Sequence, residues 1–281
     1  MNDFAVFILT HGRPDNVITL KTLKKCNYTG KYFIIIDNED KTKDDYIKKF
    51  GDKVIVFDKL KISQKFDEAD NFNDRRSIVY ARNASFEIAK NLNIKYFMQL
   101  DDDYTEFCFR FDNNFNYKYK TIKKLDNILK SLLNFYKKTN ILSIALAQGG
   151  DFIGGSNSGF AQKIQFKRKC MNTFICSTDR KFDFVGRINE DVNTYTSLAS
   201  RGGVFFTTNL VSINQLQTQS NSGGMTDIYL DGGTYVKSFY TILFSPSSVK
   251  INLMGNKHKR LHHKVKWNNT VPKILSEINK K

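Results

Sequence analysis

Proline is scarce in this chain: three in 281 residues, against 24 phenylalanines and 13 tyrosines. That balance favours a compact, sheet-rich protein and disfavours bulk disorder. The four cysteines, Cys26, Cys108, Cys170 and Cys176, form no CxxC pair. A cysteine zinc site is thereby disfavoured, and the thiols read as reduced groups of a cytoplasmic protein. The four histidines include no HExxH, which excludes zinc-protease chemistry. The first apolar run leads into THGRPDN without GxGxxG, which disfavours a dehydrogenase. Residues 1–10 lack a basic n-region, and no apolar run is long enough to span a bilayer. Neither a signal peptide nor a spanning helix is expected, and no membrane partner. There is no internal repeat and no clear linker.

Positive charge, by contrast, is abundant. Lysine and arginine number 44 against 28 acidic residues, a formal net charge of +16. Such an excess favours a polyanionic partner through steering and phosphate contacts; a merely solvated lysine-rich surface is the bland alternative. The charge is also uneven. Residues 250–281 hold nine Lys/Arg and one acid, Glu277, and residues 118–138 hold seven lysines and one aspartate. Lys257, Lys259, Arg260, Lys264 and Lys266 are candidate phosphate contacts. Trp267, the only tryptophan, sits among them in KVKWNN. Basic residues around an aromatic suit an opened strand or a displaced base, and an ordinary packing anchor is the other reading.

The order of elements predicts an α/β fold. FAVFIL (4–9), YFIIID (32–37) and KVIVF (53–57) read as strands separated by helical patterns at 15–26 and 41–50, a βαβαβ start. Near-continuous apolar strands indicate a parallel sheet covered on both faces. Residues 60–74 are polar and irregular, a helix is expected from Arg75 to Asn91, and KYFMQL (95–100) is a fourth strand. Residues 121–137 form an amphipathic helix with Ile122, Leu125, Leu129, Leu132, Leu133 and Tyr136 inward. ILSIALA (141–147) is a strand and QGGDFIGGSNSG (148–159) a glycine-rich turn or acceptor wall, lacking the lysine of a P-loop. A helix follows over 189–203, then a strand over 204–208. Residues 214–234 are expected to be exposed loops.

Three aspartates, Asp101, Asp102 and Asp103, follow the fourth strand directly. Adjacent like charges raise one another's pKa values, so a cation is expected to join them. Open parallel sheets bind ligands beyond the carboxyl ends of their strands, where Asp37 also lies. Asp101 and Asp103, at i and i+2, can point along one side of an extended backbone and share a divalent ion. Oxygen ligands suit Mg²⁺ or Mn²⁺; a solvated acidic turn is the plain alternative. Arg82 can face a diphosphate or make a surface ion pair with Glu87 or a nearby aspartate. Glu190 and Asp191 open a helix, where an acid either complements the dipole or takes a proton from an acceptor hydroxyl. His258 and His262 are four apart, so a helix would place them on one face.

These pieces, in order, resemble a known pattern. VFILTHGRP resembles the nucleotide-binding first loop of GT-A glycosyltransferases, and IIIDNED their second strand. ARNASFEIAKNLNIKYFMQLDDD resembles the family-2 segment that ends in the metal-binding Asp-x-Asp. INEDVNTYTSLASRGG resembles the later acceptor segment. The wording is most similar to the phage and TET-associated DNA glycosyltransferases, which modify hydroxymethylated pyrimidines. The GT-A resemblance covers residues 4–210. It implies one GT-A domain over 1–281, with a nucleotide-sugar half (1–110), an acceptor half (111–249) and a basic segment (250–281) closing over donor or DNA. It implies a UDP-sugar donor, such as UDP-glucose or a UDP-pentose like arabinose, and double-stranded DNA carrying modified pyrimidines, in the cytoplasm of an infected bacterial host. Thr10, His11, Arg13 and Asp37 would then hold the nucleoside, with Arg82, Asp101 and Asp102 also on the donor. Asp101, Asp103 and a late histidine, His258, His262 or His263, would hold the metal, and Asp191 would be the base. A GT-A enzyme acting on a glycan, and a non-enzymatic nucleic-acid-binding protein, are the rival readings. No protein partner is expected.

Overall fold

The apolar run FAVFIL forms β1 (Phe4–Leu9), with all six side chains buried. Its alternate residues face opposite ways, as strand geometry requires. The computed structural model describes residues 2–216, 225–233, 235–255 and 259–271. After β1 come α1 (Ile18–Lys25), β2 (Lys31–Asp37), α2 (Lys43–Phe50), β3 (Val54–Phe57), α3 (Lys59–Ser63), α4 (Val79–Asn91) and β4 (Tyr96–Asp101). Then follow β5 (Tyr104–Phe111), β6 (Tyr117–Thr121), α5 (Leu125–Lys138), β7 (Ser143–Gln148), β8 (Phe174–Ser177), α6 (Glu190–Ser200) and β9 (Phe205–Gln215). The chain continues through α7 (Met225–Gly232), α8 (Val236–Phe244), β10 (Val249–Met254) and β11 (Arg260–Val265).

Helices cover both faces of one sheet. Phe4, Val6 and Ile8 enter a core with Leu20 and Leu23 of α1, Tyr46 of α2 and Leu125, Leu129 and Leu133 of α5. Ala5, Phe7 and Leu9 enter the opposite core with Ile62 of α3, Val79 and Ile88 of α4 and Val192 of α6. The nine strands run in the order β3-β2-β1-β4-β8-β7-β9-β5-β6. Strands β1 to β4 are mutually parallel. Of the nine, only β8 and β5 oppose the common direction. This is the mostly parallel α/β sheet expected from the sequence. β5 runs through the 110/111 division and pairs with β9, so both halves share one sheet.

Local chemistry moves several boundaries. The helix expected from Arg75 begins at Val79, because Asp74 accepts the Arg76 N–H (3.1 Å) and makes a turn instead. The helix expected at 121 begins at Leu125, since Tyr117–Thr121 pairs with β5. Within 214–234, expected to be loops, α7 buries Ile228 against Ile188 and Tyr240. The basic segment is in part a two-stranded hairpin, β10–β11. The glycine-rich turn is a packed corner: Asp151 is buried and paired with Arg168 and Lys169. All four cysteines are buried and unpaired. Among the described residues no helix is long and apolar enough to cross a membrane.

The site follows from topology. The chain moves outward from β1 to β2 and β3, then returns to the other side of β1 as β4. The strand order therefore reverses between β1 and β4, where ligands of open α/β sheets bind. Leu9 and Asp101 are level there.

Candidate active site

The loop after β1 is fixed by buried polar contacts. Thr10 Oγ1 donates to Asp102 Oδ2 (2.5 Å) and bonds the Tyr46 hydroxyl (2.8 Å), which also accepts the Arg13 N–H (2.9 Å). Gly12, at φ +71°, makes the turn that sends its N–H to Asp40 Oδ2 (2.8 Å). At the end of β2, Asp37 Oδ2 meets His11 Nδ1 at 2.8 Å and Lys59 Nζ at 3.2 Å. Burial alone would raise the Asp37 pKa; His11 and Lys59 outweigh it and hold the group below its ordinary value.

The three aspartates after β4 have three different environments. Asp101 Oδ1 accepts from Arg82 Nη2 at 3.1 Å. Asp102 is buried against Thr10 and Arg13 Nη1 (3.3 Å). Asp103 receives no other side-chain donor among the described residues. Burial, opposed by Arg82 but reinforced by Asp103 and Glu190, pushes Asp101 up to about 7. Burial and the Asp102 charge push Asp103 up to about 6. The strand end thus holds more negative charge than its arginines neutralise.

Arg82 is almost wholly buried, at 2% exposure. Its Nε donates to Glu190 Oε1 (3.0 Å), and its plane lies 5.0 Å from the Phe174 ring centroid and 5.8 Å from that of Phe184. The next residue, Asn83, bonds both backbone groups of Phe184, at 2.9 and 2.8 Å. This pair of bonds docks the segment that delivers α6. The helix begins after Asn189, which takes the left-handed conformation (φ +63°) and sends its side chain to Thr241 (2.6 Å), leaving the first turn uncapped. Asp191, second in the helix, accepts the Val192 N–H (2.7 Å). Burial and then the neighbouring Glu190 raise its pKa above the ordinary carboxylate range.

One cleft of about 790 Å³ is bordered by Thr10, Asp37, Arg82, Asp101, Asp103 and Asp191. That volume suits a ligand of cofactor size. Among the described residues no three His, Cys, Asp or Glu groups form a ready-made metal cage. Mg²⁺-type sites need none, since they keep waters and use one or two carboxylates plus substrate phosphates. The oxygen donors of Asp101 and Asp103, short of positive charge, fit such an ion.

A family model of TET-associated glycosyltransferases matches residues 4–224. This chain belongs to the TET-associated glycosyltransferase family. The match runs from β1 past β9 and takes in Asp37, Arg82, the three aspartates and Asp191, while the β10–β11 hairpin lies beyond it. Enzyme class and fold agree with the GT-A expectation. No curated protein matches in sequence. Among solved structures, the chain is similar to glucosyl-3-phosphoglycerate synthase from Mycobacterium tuberculosis, in complex with Mg²⁺ and uridine diphosphate, at 8% identity and TM-score 0.47, covering 93% of this chain and 87% of that one.

The remaining described sequence candidates of this glycosyltransferase lie outside the cleft lining. His262 sits on β11, not on a helix, and its Nδ1 bonds the His263 carbonyl (2.8 Å). It does not border the cleft that holds Asp101 and Asp103. Lys257 and His258 fall outside the described residues. Arg260 and Lys264 are exposed on β11, flanked by exposed Lys259 and Lys266. Trp267 stacks on Tyr195 (5.7 Å, 13°), so one indole face is already used in packing. Polar residues bordering the cleft that escaped the sequence reading include Asp40, Lys59 and Lys237. Asp40 had a signal, in the acid-rich NED that follows Asp37; Lys59 and Lys237 had none.

Proposed function

We propose that the protein moves a sugar from a UDP-sugar, such as UDP-glucose or a UDP-pentose like arabinose, to the hydroxyl of a hydroxymethylated pyrimidine in double-stranded phage DNA, in the infected host's cytoplasm. One observation carries the reading. A single cleft at the switch point joins the polar loop ends of β1 and β2, a cation-hungry acid pair at β4 and a raised-pKa carboxylate on α6. Thr10, His11, Arg13 and Asp37 face the nucleoside. Asp101 and Asp103 would hold Mn²⁺ or Mg²⁺, which when bound screens the charge of the departing diphosphate. Asp102, tied to Thr10 and Arg13, shapes the donor pocket, and Arg82 orients Asp101 from behind.

In an inverting reaction the acceptor oxygen attacks the anomeric carbon while its bond to the diphosphate breaks. The electron pair leaves with the nucleoside diphosphate, and Asp191 takes the hydroxyl proton. A carboxylate lifted out of the ordinary range is better matched to that work near neutral pH. A base within a duplex must leave the stack to reach such a cleft.

The acceptor class is supported by charge placement. The hairpin register pairs Lys250 with Lys264, Met254 with Arg260 and Asn252 with His262, so three cations share one face. Like charges directly opposite destabilise a hairpin, and a polyanion relieves them. Lys118 and Lys120 are exposed on β6 as well. The test is transfer of labelled sugar to four acceptors: duplexes with hydroxymethylcytosine, with hydroxymethyluracil or with neither, and a free oligosaccharide. Label on a hydroxymethylated duplex alone is expected; label on the oligosaccharide alone transfers the reading to glycan chemistry.

A further inference from the structure

Most cations bordering the cleft already stand on carboxylates: Lys59 on Asp37, Arg13 on Asp102, Arg75 on Glu39, and Arg82 on Asp101 and Glu190. Lys237 borders the same cleft, partly buried, with no carboxylate in ion-pair reach among the described residues. It lies on α8, next to the helix's first residue. Thr241, one turn further along α8, holds the Asn189 side chain at 2.6 Å, immediately before Glu190 and Asp191. Residues four apart share a helix face, so Lys237 stands over the start of α6. Its amine lies 5.7 Å from the Tyr229 ring centroid. Burial lowers its pKa, Asp191 favours its charge and Arg260 opposes it.

A cation partly withdrawn from water and left without an ion-pairing carboxylate is costly, and an incoming anion relieves that cost. We infer that Lys237 is a phosphate-binding residue at the acceptor end of the cleft. The inference rests on the glycosyl-transfer reading, which brings two phosphate sources to this point: the diphosphate of the donor and the backbone of the acceptor strand. Both present the same oxyanion to a lysine that can approach as a point charge.

Wild type, Lys237→Gln and Lys237→Arg are titrated with UDP and with uridine in Mn²⁺, and with a short unmodified duplex across a salt series. If the donor supplies the phosphate, K237Q binds UDP about tenfold more weakly and uridine as before. If the strand supplies it, duplex affinity falls instead, and the slope of log affinity on log salt drops by about one. K237R keeps the affected interaction within about threefold. Lys237→Met, which keeps the stem packed on Tyr229, takes the place of K237Q if that variant fails to melt cooperatively. A neutral variant equal to wild type with both probes overturns the inference and leaves glycosyl transfer standing. A wild-type protein that binds neither UDP nor duplex contradicts both.

Discussion

Arg82 Nη2 lies 3.1 Å from Asp101 Oδ1, deep in the protein. The Nε of the same guanidinium holds Glu190, so one buried cation ties the end of β4 to the start of α6. Metal-side and acceptor-side carboxylates are therefore positioned by a shared group. Arg82→Met leaves two carboxylates without their partner and should cost roughly 3–5 kcal/mol. Arg82→Lys keeps the charge, but a single ammonium at the end of a flexible stem does not reproduce two fixed donors of a planar fork, one on each carboxylate. The expected result is a folded protein whose kcat falls at least about tenfold. Wild-type kcat and melting temperature in R82K would show the bridge to be dispensable.

Asp191→Asn tests the base. Proton removal matters in the transition state and little in ground-state binding, so donor and DNA affinities should hold while transfer falls by about a hundredfold or more. The raised pKa fixes the sign of the pH effect. Asp191 is protonated further up the acid range than a free aspartate, so the wild-type rate should decline, on lowering pH, well before the ordinary value near ~3.9. Single-turnover rates at saturating substrates give both quantities. A loss under about threefold in D191N would reduce Asp191 to a first-turn residue that complements the helix dipole.

Asp103 separates function from stability. Its folded-state pKa is raised by burial and by Asp102, so below that value the folded state binds more protons than the unfolded chain. Stability then falls as pH rises from the unfolded value near ~4 through the folded one. Without metal, Asp103→Asn should melt higher than wild type at pH ~7.5 and little differently at pH ~3.5. Mn²⁺ should raise the wild-type melting temperature but not that of D103N, and EDTA should abolish transfer until Mn²⁺ is restored. Full transfer in excess EDTA would sink the metal role.

The legible part of the fold is the part written in apolar runs. β1 buries every side chain, β2 and β4 bury their apolar centres, and α5 carries a clean stripe, so hydrophobic pattern alone placed these elements and the apolar run of β3. β6, YKYKT, was hidden because its lysines read as a basic patch, and the alternation in VKINLM and RLHHKV was hidden in the same way. The acid cluster was visible as a cluster, but its division of labour was not. Asp102 is claimed by Thr10, 92 positions away, and Glu190 by Arg82, 108 positions away. No local pattern encodes such distances. Lys237 was invisible for a related reason: its significance lies in having no carboxylate within ion-pair reach among the described residues, which only the folded chain reveals.

The hairpin face gives a salt prediction. Replacing Lys250, Arg260 and Lys264 together by glutamine should weaken duplex binding at all sequences and lower the salt slope by about two to three, since each phosphate contact releases counterions. Fluorescence anisotropy across a salt series measures it. An unchanged slope would place the footprint elsewhere, with exposed Lys118 and Lys120 of β6 as the next set to neutralise.

The most direct measurement of the central claim is the mass of the product nucleoside. Duplex DNA carrying hydroxymethylated pyrimidines is incubated with the protein, Mn²⁺ and a panel of UDP-sugars, digested to nucleosides and weighed. The account predicts a hydroxymethylpyrimidine nucleoside heavier by one sugar residue with at least one donor, and no such product from Asp191→Asn or in EDTA. Unmodified nucleosides with every donor, from protein that binds UDP and transfers sugar to another hydroxyl acceptor, would contradict it.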